Sequence, residues 1–357
     1  MKILAWMLTR MVALRFLAIL LGVSIFVLSL EVLSYVDEIM ALSPGHMSIV
    51  LDYALARAPS VLSTYLPLSI LLAMLLVLTE LSYRNEISAL WSSGLSPGRL
   101  LVQLIPLALL AGGINFVLND LAIPRQAPFL RDWAIGDYGK ETLKVGEKDP
   151  IWMRAGPDIL RALSASADSS ELRGVIIFRR DGSGLLREQV YAARALHGGD
   201  RWSLEDVTIY YRENLAPSHL DTMIYSGTLK PAAAGARSGE PEEMSLTELG
   251  YFIDNQGFGI RPVWVYQTWW HKRISLLFSA LLMISLCIPL AGRFRRGGGL
   301  GALFAVGVGL GFVYFVSDGI AMTMGELGFV TPWLAAWAPV IGFSALAAAM
   351  TLRAEQV

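Results

Sequence analysis

Read for chemistry, this chain offers little that could make or break a covalent bond. Its four histidines lie far apart, no His, Cys, Asp or Glu cluster has metal-ligand spacing, and no Ser/His/Asp arrangement is suggested. No G-x-x-x-x-G-K-[ST] phosphate loop occurs. The nearest glycine run, Gly297-Gly298-Gly299, lacks the lysine and the strand–helix setting. The reading is therefore of a non-enzyme with no catalytic residue, no metal and no cofactor of its own. Any work it performs draws energy from another subunit or from an ion gradient. What remains is the chemistry of recognition and coupling. Arg261, His271, Lys272 and Arg273 stand beside Trp264, Trp269 and Trp270, a short amphipathic stretch follows Arg84, and Glu31 and Asp318 lie in apolar runs.

The elements that must position these groups follow from composition. Of 357 residues 54% are hydrophobic and 17% charged, which places the chain among membrane proteins. A net charge of −1 without a basic stripe gives nucleic acid nothing to bind. Cys287 is the only cysteine, so no intrachain disulfide can form, and it reads as a small buried hydrophobe. Apolar runs at Leu14–Leu33, Val61–Leu81, Leu100–Leu118, Ile274–Leu290, Leu300–Phe315 and Pro332–Leu352 reach or approach the ~20 residues that span a bilayer. Lys2, Arg10 and Arg15 followed by an apolar run could suggest a cleaved signal peptide. The run is too long and no small-x-small site follows, so it reads as a retained span.

This gives an α+β membrane protein, three spans on either side of an inserted domain: residues 1–119, 120–260 and 261–357. Lys2, Arg10, Arg84, Arg99, Arg293, Arg295, Arg296 and Arg353 fall on one side, against Arg57 alone in the two short loops of the other. The positive-inside rule then puts both termini in the cytoplasm and the large domain on the far side.

Within that plan Ile87, Leu90 and Trp91 share one face of a short helix near 84–95, capped by Gly94 and stopped by Pro97-Gly98. Such a helix either lies on the membrane surface or inserts into a groove on a cytoplasmic partner. Glu31 is either an interfacial carboxylate or a contact lining a cavity, and Asp318 either bonds a neighbouring helix or is interfacial. Leu51–Arg57 reads as a short amphipathic piece ending at Pro59, Gly112-Gly113 as a site of close helix approach, and Pro124–Lys148 as a polar connector.

Strand-like runs at Ile151–Arg154, Ile159–Leu163, Gly174–Arg179, Glu188–Leu196, Ser203–Tyr211 and Thr222–Leu229 argue for an antiparallel sandwich or jelly roll. Val175-Ile176-Ile177-Phe178 breaks the alternation, as a strand buried on both sides or as one face of an apolar lipid groove. Pro231–Pro241 reads as a linker, Ser245-x-x-Glu248 as a capping box, and 257–262 as a turn. The basic residues beside the tryptophans either snorkel to headgroups or recognise an anionic lipid headgroup.

Several stretches resemble the lipopolysaccharide-export permeases of the LptF/LptG (YjgP/YjgQ) family, more closely the LptG branch. They are Arg84-x-Glu86-Ile87-x-x-Leu90-x-x-x-Gly94-Leu95-Ser96, Met244-Ser245-Leu246 with Leu249-Gly250-Tyr251, Trp270-His271-Lys272, and Gly311–Asp318. Gly136-Asp137-Tyr138-Gly139 and Trp152-Met153-Arg154 favour that branch. The resemblance implies an inner-membrane permease with a periplasmic β-jellyroll-like domain, paired with an LptF-like second permease. An LptB-like ATPase dimer, itself binding ATP and Mg, would grip the coupling helix through Arg84, Glu86, Ile87, Leu90, Trp91 and Gly94. LptC-like and LptA-like bridge proteins would receive the lipopolysaccharide. Basic residues that some members carry after the first span are absent here, where Asp37-Glu38 stands, so Arg57, Arg131, Lys272 and Arg273 become the headgroup candidates. The alternatives are a permease of the same architecture for another lipid or a lipoprotein, and a membrane scaffold that transports nothing.

Overall fold

A computed structural model describes residues 2–43, 47–84, 86, 89, 92, 96–136, 138, 151–155, 157–165, 171–181, 184–198, 201–212, 216–226, 240–254, 261–293 and 300–355. Two compact units emerge, Met1–Ile123 with Thr268–Val357, and Pro124–Gln267. Among the described residues six helical runs are long and apolar enough to cross a membrane: Trp6–Ser34, Ser48–Tyr83, Pro97–Trp133, Val263–Leu290, Gly301–Glu326 and Pro332–Arg353.

Helices α1 (Lys2–Ser34), α2 (Val36–Leu42) and α3 (Ser48–Tyr83) come first. The 51–57 stretch is not a separate piece: α3 passes through Pro59 and Pro67 without a break. Prolines cost a membrane helix one backbone bond each, which neighbouring helices tolerate. Helix α4 (Pro97–Val117) is started by Ser96, whose side chain accepts from the Arg99 amide, with Pro97 at the first turn. It runs on through a π-helical turn, Leu118–Ala122, into α5 (Ile123–Trp133). The connector expected from Pro124 is thus helical at its start. Pro124 has no N–H and its ring crowds the carbonyl four residues back, and the widened turn just before it relieves both.

After the sheet come α6 (Leu246–Asp254), α7 (Val263–Ser275), a 3-10 turn at Leu276–Phe278, α8 (Ser279–Arg293), α9 (Leu300–Glu326) and α10 (Pro332–Glu355). The capping box is formed: the Glu248 amide donates to Ser245 Oγ, and Glu248 Oε2 accepts from the Ser245 amide at 2.7 Å.

Helices α3 and α8 form the middle of the spanning unit. On α3, Ile70, Leu71, Ala73, Met74, Leu75, Val77 and Leu78 are all buried, and α8 is equally closed from Leu282 to Cys287 apart from Ser285. Helix α9 packs on α3 through glycine. A Cβ on Gly307 would overlap the end of Leu75, and one on Gly311 would sit 2.9 Å from Leu71 Cδ1. Two small residues four apart let the helix axes approach where lipid supplies no hydrophobic drive. Gly311→Leu should therefore lower stability by about 1–3 kcal/mol through overpacking. Gly309→Leu, whose Cβ meets nothing within 4 Å, should be near neutral. Thermal unfolding of both variants in one detergent checks this.

The second unit is built on an antiparallel sheet: β1 (Ile151–Ala155), β2 (Asp158–Ala162), β3 (Ser164–Ala165), β4 (Glu171–Arg180), β5 (Leu186–Gly198), β6 (Arg201–Tyr211) and β7 (Ser218–Tyr225). The order is β1-β2-β4-β5-β6-β7, with β3 continuing the β2 register on β4. The imperfect alternation has a local cause. Gly174 on β4 and Asp206 on β6 have φ of 60° and 55° and stand level with each other on either side of β5. On one side of that level Leu172, Ala195, Trp202 and Leu204 are buried; on the other, Val175, Ile177, Val190, Ala192, Val207 and Ile209. The inward parity shifts by one residue there, and both halves turn their apolar side chains into one core. Gly174 is required twice over, since a Cβ would also fall 2.5 Å from Leu163 Cδ1.

Ile176 and Phe178, facing away from that core, are only half-buried, with Trp152 stacked on Phe178 at 6.0 Å. The strand is therefore not closed on both faces. At the sheet's edge Tyr225 is buried and donates to Asp158 at 3.1 Å. Burial first, then the Asp158 carboxylate, push its phenol well above the usual 10.

Candidate functional site

The spanning unit leaves α1, α9 and α10 thinly covered, the first two most of all. Helix α1 buries one side chain per turn, Leu8, Val12, Phe16, Leu20 and Ser24, and exposes Leu14, Leu17, Leu21, Ile25, Leu30 and Leu33. Helix α9 buries the narrow face of Leu303, Gly307, Gly311, Tyr314, Met322 and Gly325, and exposes Val306, Val313, Val316, Ile320 and Met324. Both lie against α3. Their outer faces are mostly apolar, and the exposed hydroxyls of Ser29, Ser34, Ser317 and Thr323 donate back to their own helix, which suits acyl chains or another apolar helix.

Polar groups gather at the end of the bundle where the chain departs for, and returns from, residues 124–267. Glu31 on α1 accepts from Tyr53 at 2.8 Å and from Arg57 at 2.6 Å, both on α3. Ser63 on α3 donates to Asn115 on α4 at 2.9 Å, and Asn119, in the π turn, donates to Ser63. Arg273 on α7, 1% exposed, donates to Asn119 Oδ1 at 2.5 Å. Lys272 reaches both oxygens of Asp318 on α9 at 2.6 Å, and Trp269 Nε1 donates to Glu326 at 2.6 Å. The wide turn places Asn119 where it meets α3, α4 and α7 together, a use typical of π-helical turns.

Each headgroup candidate is thus occupied from within. Arg57 holds Glu31 and Lys272 holds Asp318; Arg131 pairs with Glu243, which also accepts from Tyr138; Arg273 is enclosed. Arg261 likewise pairs with Glu240. The open question at Glu31 resolves as an α1–α3 clasp, and that at Asp318 as a bond to a neighbouring helix. Among the described residues this cluster knits helices together.

At the opposite end, Arg15 on α1 pairs with Glu80 on α3, whose other oxygen lies 2.7 Å from Arg84. Of the coupling segment, Glu86 is helical and exposed. Ile87, Leu90, Trp91 and Gly94 lie outside the described residues, as do Asp137, Gly139, 231–239 and 257–260. Sequence reasoning took Arg15 only as a basic residue at the start of the first span and singled out no role for Glu80. The available signal was one charge near the same end of each of two antiparallel apolar runs, which a low-dielectric setting obliges to pair.

Six membrane-length helices, split three and three by a sheet domain, define a multi-pass membrane protein. The comparisons narrow this. The family model described as lipopolysaccharide export system permease LptF/LptG matches residues 6–353, and the chain belongs to that family. It is similar to the lipopolysaccharide export system permease protein LptG of Haemophilus influenzae, 24% identical over 268 residues that cover 73% of this chain and 74% of that protein. The LptG protein of Escherichia coli K12 is 21% identical over 308 residues, 84% of each chain. Its likeness within the family is to LptG.

Proposed function

We propose that this chain is one permease subunit of an ATP-driven exporter that draws lipopolysaccharide out of the inner membrane. The observation that carries the reading is the family match over nearly the whole chain. The uncovered apolar faces of α1 and α9 agree with it. In this reading the two faces meet an LptF-like second permease and the lipid's acyl chains. The termini and residues 84–96 face the cytoplasm, and the β domain faces the periplasm. Removing acyl chains from a bilayer costs about 0.8 kcal/mol per CH₂, which apolar walls offset. An LptB-like ATPase dimer supplies ATP and Mg chemistry and sets the direction. LptC-like and LptA-like proteins take the lipid onward from the β domain.

The exposed Glu86 carboxylate is the contact assigned to the ATPase, with Ile87, Leu90 and Trp91 filling its groove. Glu86→Ala should cut recovery of the ATPase with the tagged chain at least fivefold in detergent, and lipid release with it. Undiminished ATPase recovery and release would sink the assignment. Adducts of another lipid at photocrosslinkers along α1 and α9 would favour the alternative substrate. Recovery of neither ATPase nor lipid would favour the scaffold.

A further inference from the structure

Helix α1 is attached to the bundle by one buried stripe, and an ion pair stands toward each end of it: Glu31 with Arg57, and Arg15 with Glu80. The second pair differs from the first in what else it touches. Glu80 lies one turn before the end of α3 and its second oxygen takes Arg84, the residue at which the chain leaves α3 for the 84–95 segment. One carboxylate is therefore shared between the helix with the most exposed apolar flank and the start of the segment assigned to the ATPase. Arg15 stands within the apolar run Trp6–Ser34 with its side chain 30% exposed. Its Nη2 pairs with Glu80 and its Nη1 is buried without a hydrogen bond, so among the described residues Glu80 is the carboxylate that compensates its charge. Between the two pairs α1 buries Phe16, Leu20 and Ser24, and a packed apolar stripe slides more readily than it transmits a pull.

Resting on the permease reading, we propose that Glu80 is a positioning residue that couples the 84–95 segment to α1. Displacement of that segment shifts Arg84 and the end of α3. Through Glu80 and Arg15 the movement reaches the foot of α1 and changes how its apolar face is presented to lipid. The Glu31–Arg57 clasp at the far end is the pivot.

The test uses the full chain with its partner permease and ATPase in proteoliposomes loaded with lipopolysaccharide, reading ATP hydrolysis and lipid release together. Glu80→Gln should keep complex yield and hydrolysis within twofold of the parent while release falls about tenfold. The exchange Arg15→Glu with Glu80→Arg rebuilds only the α1–α3 pair and sets like charges at positions 80 and 84, so release should stay low. Adding Arg84→Glu, which rebuilds both links with reversed polarity, should bring release back to within threefold. Parent-like release in Glu80→Gln, or hydrolysis and release falling in proportion, overturns the coupling role. If Glu80→Gln does not accumulate, Arg15→Met combined with Glu80→Leu, which removes the link and leaves neither charge of that pair behind, is read instead, and an unchanged ratio of release to hydrolysis there overturns it equally. A parent complex without ATP-driven release removes the permease reading itself, and the coupling role with it.

Discussion

Gly112→Ala, the addition of a single methyl group, is expected to cost this protein most of its yield in detergent and to lower the unfolding temperature of what remains. A Cβ at Gly112 would overlap the carbonyl oxygen of Leu277 and lie 2.9 Å from its carbonyl carbon. Both obstacles are backbone, in the 3-10 turn at Leu276–Phe278 between α7 and α8. A side chain would swing aside, but a backbone carbonyl moves only with its helix. Overpacking of a closed core costs about 1–3 kcal/mol where side chains adjust, and more where they cannot. The strain also travels. Asn115 lies one turn beyond Gly112 and bonds Ser63, while Arg273 lies one turn before Leu277 and bonds Asn119. Parting α4 from α7 and α8 stretches the Arg273–Asn119 bond directly, and any tilt of α4 that relieves it is resisted by the Asn115–Ser63 bond to α3. Gly113→Ala is the control: its Cβ meets nothing within 4 Å, and relief of glycine's conformational entropy should leave it equal to the parent or about 0.5–1 kcal/mol more stable. Equal stability of the two variants would mean that α4 and the Leu277 turn are not in contact at this distance.

That contrast shows what the chain discloses before folding. Gly112-Gly113 reads as a place of close approach, yet nothing in the pair says which glycine faces a helix, because the choice depends on the rotation of α4. Length and apolarity are properties of a segment, so the six spans are legible, and so are six of the seven strands within a few residues. The capping box is legible because its partners are three residues apart. Pairings between distant elements are not. Lys272 and Asp318 are 46 residues apart and Arg273 and Asn119 154 apart, so these cations read as ligand-binding groups when their partners cannot be seen. Helix α3 ran through Pro59 and Pro67 because neighbouring helices cover it, which local rules about proline do not weigh. The parity shift at Gly174 and Asp206 appears in the sequence only as an irregular alternation.

The second large effect is expected at Asp318, and it separates the two roles Lys272 could have. The side chains are 11% and 16% exposed, and Lys272 Nζ lies 2.6 Å from both carboxylate oxygens. Asp318→Ala leaves an ammonium group among apolar helices with its compensating charge gone. Breaking a buried pair from one side costs about 3–5 kcal/mol, the larger part being the solvation the survivor cannot recover. Lys272→Met combined with Asp318→Leu removes both charges at similar volume and should restore most of the loss, since apolar replacement of a buried pair is often neutral. If Lys272 instead served a lipid phosphate, freeing it would favour the ligand. Asp318→Ala would then bind lipopolysaccharide more tightly and recover its stability when that lipid is added to a neutral detergent. The geometry predicts the other outcome. Stability of Asp318→Ala should remain low with or without the lipid, and the double variant should bind lipid as the parent does. The cation is then part of what holds α9 to α7, and α9 in turn presents one of the two apolar faces through which this permease would meet its lipid.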